Sequence, residues 1–408
     1  MYREVEASQT LLINTQSKHL AASGQEVFKF GFGQSPFMPP PVVVEALQQS
    51  STHKEYTSVQ GELTLRENIA RFHADHNGLQ VTPENVLTAP GSKILLFNIL
   101  MAFEQADVFI AAPSWVSYAP QAKLAGHHLI QIETSFADRW RITSGALTLA
   151  AKQKRHEASI LIINYPGNPD GLSYTEAELQ QLASAARALN MLVISDEIYG
   201  LLDHQLDHKS FATYYPERTI TTTGLSKWCG AGGWRFGAAL LYDTIEPAFK
   251  QALIGIGSET YSCAPTPVQK AATVAYQNYE AIVPYLERQI RMLSQLGNYC
   301  SEQLNAVQVG VHAPQGGFYL FPEFSAQQSA LRAKGITTSN ELCLRLLQDT
   351  GVVLLPATAF GFAPEFLAAR LAYVDFDEPS SSAAFDLKTD CPRIVEGIER
   401  MCSWLAKL

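Results

Sequence analysis

The chain has few cysteines, a shortage of positive charge and no long apolar run, and each absence removes a class of function. Cys229, Cys263, Cys300, Cys343, Cys391 and Cys402 are the only six cysteines in 408 residues, widely spaced and without a CxxC pair. That excludes a zinc ribbon and a disulfide framework and points to free thiols in a reducing, cytoplasmic setting. Lysine and arginine total 30 against 39 acidic residues, a net charge of −9. An acidic chain repels phosphate backbones, so nucleic-acid binding is not expected as the main function. No stretch approaches the roughly 18 apolar residues of a membrane span, so no membrane partner is expected. MYREVEASQT at the start carries no apolar core of a secretory signal. The P-loop pattern GxxxxGK[ST] is missing, and the glycines of CGAGGWRFG do not fit the dinucleotide fingerprint GxGxxG.

What is present is α/β alternation. Strands are predicted at Val86–Ala89, Val108–Ala111, Leu129–Glu133, Ile160–Asn164, Leu192–Ser195, Thr219–Thr223 and Ala238–Leu241. Runs such as SILIIN and MLVIS are continuously apolar, as in parallel strands covered by helices on both faces. A helix is predicted from near Glu62, with Leu65, Ile69 and Phe72 on one face. Another opens at Thr175, where Glu178 completes a capping box. The reading is an α/β fold with a large domain over 46–280, whose mainly parallel sheet lies between helices. An N-terminal arm over 1–45 and a C-terminal part over 281–408 make a smaller α/β domain, with GGFYLFPEF and RLAYVDF as its clearest strands. Residues 377–392 read as a polar surface insertion.

Three segments carry chemistry. TTTGLSKWCGAGGWRFG (221–237) places Lys227 and Arg235 in a glycine-rich loop after a strand, where α/β sheets bind ligands. A desolvated lysine there becomes a nucleophile toward carbonyls. SDEIYG (195–200) puts Asp196 and Tyr199 at another strand end, where the acid meets a ligand or caps the next turn. NYPGNPDG (164–171) ends a third strand in a turn containing Asn168.

In that order, and with YTSVQGELTLRENIA (56–70), TAPGSKILLFNIL (88–100), PSWVSY (113–118), LPATAFG (355–361) and ARLAYVDF (369–376), the chain resembles the class I/II aminotransferases, pyridoxal phosphate enzymes of fold type I. The resemblance covers nearly the whole chain. It implies pyridoxal 5'-phosphate as cofactor and Lys227 as its Schiff-base lysine and proton shuttle. It makes Asp196 the partner of the pyridine nitrogen, with Asn168 and Tyr199 on the phenolic oxygen and Trp115 stacked on the ring. The phosphate falls to Gly91, Ser92 and Lys93 at a helix start, to Arg235, and to Tyr56 from a partner subunit, hence a homodimer with shared sites. Where the family often carries serine, this chain has Gly224, and Thr223 or Ser226 is left to substitute. Arg370 takes the substrate carboxylate, and Gly33 lies on the arm that closes over the substrate, which Asn168 also meets.

The reaction implied is ping-pong transfer of an amino group from an L-amino acid to a 2-oxo acid. The alternatives are β-elimination or C–C bond formation on the same scaffold. A non-catalytic ligand sensor is disfavoured, because the resemblance starts too near Met1 for a helix-turn-helix domain ahead of it. IGIGSETYSCAPTP (254–267) has no arginine or lysine, which argues weakly against a dicarboxylate substrate. Phe32, Phe37, Tyr261 and Phe360 are candidates for an apolar substrate pocket. No metal site is expected: His204 and His208, with Asp203 and Asp207, read as a solvated loop, and His73 and His76 as a polar helix stretch. Cys229 is not expected to be redox-active.

Overall fold

Seven apolar or β-branched segments form one sheet in a computed structural model. It describes residues 26–379 and 385–408, with Thr15, Ser17, His19, Leu20, Ala22 and Gly24 ahead of them. The strands are β1 (Val86–Ala89), β2 (Asp107–Ala112), β3 (His128–Glu133), β4 (Ser159–Asn164), β5 (Leu192–Asp196), β6 (Thr219–Gly224) and β7 (Gly237–Leu240). They lie in the order β1-β7-β6-β5-β4-β2-β3. β7 is antiparallel to both neighbours, and the pairs among β2 to β6 are parallel. Period-2 alternation splits the core. Ile160, Ile162, Leu192 and Ile194 face Leu95, Leu96 and Ile99 of the helix Ser92–Met101. Leu161, Ile163 and Val193 face Leu179 and Leu182 of the helix Glu176–Ala188. Both faces are apolar, which is why these runs read as continuous.

The helix starts follow the sequence. Thr175 and Glu178 form the capping box reciprocally. The helix Leu63–Asn77 buries Leu65, Ile69 and Phe72 on its inner face. The C-terminal strands are shorter than predicted. β8 is Tyr319–Leu320, β9 Leu355–Pro356 and β10 Ala369–Ala372, in the antiparallel order β8-β10-β9. Pro322 has no N–H to continue β8, though its carbonyl accepts from Ala369 N at 3.1 Å. Beyond β10 the arm takes over: Ala372 N donates to Phe30 O at 2.7 Å, and Phe28 bridges Val352. The arm is thereby stitched to the small sheet.

The segment 377–392 is less of a surface insertion than expected. Glu378 pairs with Arg288 at 2.6 Å and accepts from Met38 N at 2.9 Å. Cys391 is fully buried at the start of the helix Pro392–Leu405. Residues 380–384 lie outside the described residues. No helix among the described residues is long and apolar enough to cross a membrane.

Candidate active site

The ends of β4 and β5 and the segments that follow β1, β2 and β6 converge on one cavity of about 540 Å3. Asp196 closes β5, and its side chain is held from two directions. The Tyr118 hydroxyl donates to Oδ2 at 2.7 Å, and Thr222, its register partner on β6, donates to Oδ1 at 3.3 Å. Asn164, at the end of β4, donates to the Asp196 carbonyl at 2.7 Å and accepts from Asn168 N at 2.8 Å. The NPDG turn is thus tied to the strand beside it. Burial pushes the Asp196 carboxyl up to about 6, against the pull of Tyr118, the Ile198 amide and Thr222. It has no cationic partner among the described residues.

Lys227 sits past β6, and its Nζ donates to Gly33 O at 3.1 Å. Arg235 is in the left-handed region at φ 61°, which turns its side chain back over the loop toward the start of the helix Ser92–Met101. Gly91 caps that helix at φ 96°, and a Cβ there would run into the Arg235 guanidinium. A Cβ on Gly237 would strike Ser92 N. These two glycines let the arginine and the helix N-terminus approach. Lys93 lies over the Trp115 ring at 5.3 Å, and burial, then Arg235, lowers its pKa. Neither Lys93 nor Arg235 pairs with an acid among the described residues.

Arg370, on β10, is buried without a carboxylate partner among the described residues. Nη1 donates to Asn168 Oδ1 at 3.0 Å, Nη2 to Gly31 O at 2.8 Å, and Nε has no partner. Its guanidinium lies over Tyr319 at 4.7 Å and Phe360 at 5.4 Å. Tyr199 donates to the Tyr319 hydroxyl at 3.0 Å.

The cavity therefore brings together Gly33, Ser92, Lys93, Trp115, Asn168, Asp196, Tyr199, Ser226, Lys227, Arg235 and Arg370. Gly91 supports it from behind. Tyr56 is elsewhere, 88% exposed on the protein surface. The glycine at 224 has a local cause: a Cβ would meet the Phe236 carbonyl and Gly237 of β7, so serine does not fit there. Of its two stand-ins, Ser226 lines the cavity and Thr223 lines a different one.

Of the expected apolar pocket, only Phe32 lines the cavity. Phe37 packs on Phe376 at 5.8 Å, Tyr261 donates to Thr88 O at 3.3 Å, and Phe360 lies against Arg370. The segment 254–267 contributes no lining residue. Tyr118, Tyr319 and Asn164 were missed. The signal for Tyr118 was its place one helical turn after Trp115 in PSWVSY, and for Asn164 its place at a strand end.

Two histidine readings are corrected. His204 is half-buried and bonded to the Pro314 and Gly317 carbonyls at 3.2 Å. His208 is buried on Glu197 at 3.0 Å, so DHQLDH is not simply a solvated loop. His73 is buried too, and desolvation lowers its pKa to about 4. No cluster among the described residues is arranged to hold a metal ion. Burial also pushes the Cys229 thiol upward, away from reactivity.

A buried acid lacking a cation, cations at a helix N-terminus lacking an anion, and a lysine on the same cavity suit a flat, positively charged ring that carries a phosphate and an aldehyde. Pyridoxal phosphate has those parts, and the chain is a pyridoxal phosphate enzyme of fold type I. A model of the family described as aminotransferase class I and II matches residues 25–375. Aspartate aminotransferase of Geobacillus stearothermophilus is 33% identical over 378 residues, 90% of this chain and 91% of its own. That of Bacillus subtilis (strain 168) is 30% identical, covering 90% and 91%. The solved structure of Thermus thermophilus aspartate aminotransferase with maleate superposes with a TM-score of 0.85 at 25% identity, covering 98% of this chain and all of the other. The chain belongs to the class I and II aminotransferase family. It is an aminotransferase, moving amino groups between amino and oxo acids.

Proposed function

We propose that this aminotransferase takes the amino group of an acidic L-amino acid and passes it to a 2-oxo acid in a ping-pong cycle. One relationship carries the reading. Lys227 Nζ and Arg370 Nη2 hydrogen-bond the carbonyls of Gly33 and Gly31, at 3.1 and 2.8 Å. Those carbonyls lie two residues apart on one segment, a span of about 7 Å at most. A carboxylate on Arg370 then sets the Cα of the same amino acid beside the lysine. Lys93 is the cation left for a second carboxylate, because Arg235 and the Ser92 helix terminus suffice for a phosphate.

Pyridoxal phosphate, when bound, supplies the aldehyde that receives the amino group and the ring that takes up the electron pair left by Cα–H cleavage. Asp196, with Tyr118 behind it, holds a proton toward the ring nitrogen. Asn168 and Tyr199 would donate to the phenolic oxygen, the Tyr199 hydroxyl turning to it from Tyr319, Trp115 would cover one face, and Ser92, Ser226 and Arg235 would hold the phosphate. Arg370 fixes the substrate carboxylate and so the direction of the Cα–H bond. The free amine of Lys227 would take the Cα proton at Nζ and give it up on the carbon that had carried the aldehyde oxygen, so that the amino group stays with the cofactor. Phe32 and Gly33 border the entrance.

The same proposal makes the active unit a homodimer. Tyr56 has no role at its own cavity, and Met38 and Leu63 are also exposed, at 69% and 52%, an apolar set suited to a partner surface. It divides the chain into an arm over 1–45, a cofactor-binding unit over 46–280 and a smaller unit over 281–408, supported by two sheets lying on either side of 280. It places the enzyme in the cytoplasm, since all six cysteines are unpaired. The test is absorbance of the loaded enzyme with single L-amino acids and no oxo acid. Aspartate or glutamate should shift the cofactor band and a 2-oxo acid restore it, whereas release of ammonia and pyruvate without an oxo acid would sink the reading.

A further inference from the structure

Behind Asp196 lies a second cavity of about 180 Å3, reached by His73 from the helix Leu63–Asn77 and by His208 from the DHQLDH loop. Both converge on Glu197, which follows Asp196 in the chain. The Glu197 carboxylate is buried and fully engaged. Oε1 accepts from Ser195 Oγ at 2.7 Å, Ser210 Oγ at 2.8 Å and Phe211 N at 3.2 Å, and Oε2 meets His208 Nε2 at 3.0 Å. The backbone is fixed as well: Glu197 N donates to Thr222 O, and Gly200 N to Glu197 O, each at 2.9 Å. Burial favours the neutral acid, but the donors from His208, Ser195 and Ser210 outweigh it and keep the carboxyl below its ordinary range. The other titratable groups around it are His73 and His76, Tyr276, Tyr279 and Glu287 from the neighbouring helices, and Tyr165 and Asp196 from the sheet side. A negative charge so placed acts on Asp196 across protein rather than water, where Coulomb interactions are stronger.

We propose that Glu197 is a positioning residue for the cofactor: its carboxylate, clamped by His208, Ser195 and Ser210, is a fixed negative charge that strengthens the grip of Asp196 on the proton it shares with the ring nitrogen of pyridoxal phosphate. The inference rests on the assignment of Asp196 to that nitrogen. It goes beyond it by giving a task to an acid and a histidine that touch neither cofactor nor substrate. Glu197→Gln removes the charge and preserves the acceptor for Ser195, Ser210 and Phe211 N. Its new amide can donate to the His208 ring, whose Nδ1 has no partner and is free to carry the ring proton.

The measurement is the affinity of the apoenzyme for two ligands, pyridoxal phosphate and its 1-deaza analogue, which has C–H in place of the ring nitrogen. Wild type is expected to prefer the natural cofactor. Glu197→Gln should cut that preference by about tenfold, one pKa unit of proton affinity, while leaving affinity for the analogue unchanged. An equal loss for both ligands would mean that Glu197 serves the fold alone, and would overturn the inference. Asp196→Ala separates the two readings. If it abolishes the preference while Glu197→Gln leaves it intact, only the present inference falls; if it leaves the preference standing, the assignment of Asp196 falls. Should Glu197→Gln not fold, His208→Leu, which removes the donor that keeps the buried Glu197 carboxyl ionised, should move the same ratio, and an unmoved ratio overturns the inference.

Discussion

The Tyr118 hydroxyl donates to Asp196 Oδ2 at 2.7 Å from the first residue of the helix Tyr118–Leu124. A phenol from one side of the sheet thus steadies a carboxylate that burial would otherwise neutralise. The balance between the two, with the Asp196 carboxyl at about 6, makes the ionised acid a measurable cost to the apoprotein.

That cost has a sign. The Asp196 carboxyl stands higher in the folded protein than its ordinary 3.8. Its contribution to stability is therefore complete below about pH 4 and lost as pH rises through about 6. Asp196→Asn removes the titration. In urea melts of apoprotein it should match wild type near pH 4 and exceed it at pH 8, by on the order of 3 kcal/mol. Equal stability at pH 8 would contradict the raised value.

Tyr118→Phe should move the same curve the other way. Without its strongest donor the ionised acid is less favoured, so the pH at which apoprotein stability falls should rise by about one unit. The readout is the midpoint of that fall, with Asp196→Asn as the flat reference.

Lys227→Ala should abolish the covalent bond to the cofactor while leaving the phosphate contacts in place. After borohydride treatment, intact mass should show an adduct on wild type and none on the variant. The half-reaction with an amino acid should slow by about 1000-fold or more, as expected for loss of a positioned base. An adduct on another lysine would remove Lys227 from its role.

Two cations are separable by substrate. Arg370→Ala should raise KM for every amino acid by about 30- to 100-fold, the range of a charge-assisted pair, with cofactor absorbance retained. Lys93→Gln should raise KM about tenfold for aspartate and glutamate and leave alanine unaffected. Loss of cofactor from Lys93→Gln would instead assign that charge to the phosphate.

Much of this was legible because the large sheet is buried on both faces. SILIIN and MLVIS have no polar alternative, and Asn164 and Asp196 then fall at strand ends on chemistry alone. The small sheet was harder to read, since its pairing is completed by Phe28 and Phe30 from the far end of the chain, and pattern carries no trace of such a partner. Tyr118 and Tyr319 passed unnoticed because an aromatic hydroxyl in an apolar stretch looks like core. The histidines misled for the opposite reason. DHQLDH is polar enough to read as solvated, and nothing local shows that Glu197, Ser195 and Ser210 wait behind it. Gly224 looked like a missing contact, yet the backbone of β7 leaves no room for serine.

The register of β6 on β7 pairs Gly224 directly with Gly237, and Lys227 and Arg235 both hang on the loop between those two residues. In the roles proposed for Lys227 and Arg235, the covalent anchor and the ionic anchor are two prongs of one fork rather than independent contacts. A chelate of this kind holds its guest by local concentration: when one prong lets go, the other keeps it within reach. Transamination requires the lysine to let go in every turnover. On the proposed assignment, retention of the cofactor through that interval would depend on Arg235 and the Ser92 helix end, and leakage should be greatest in the half of the cycle when the lysine is free.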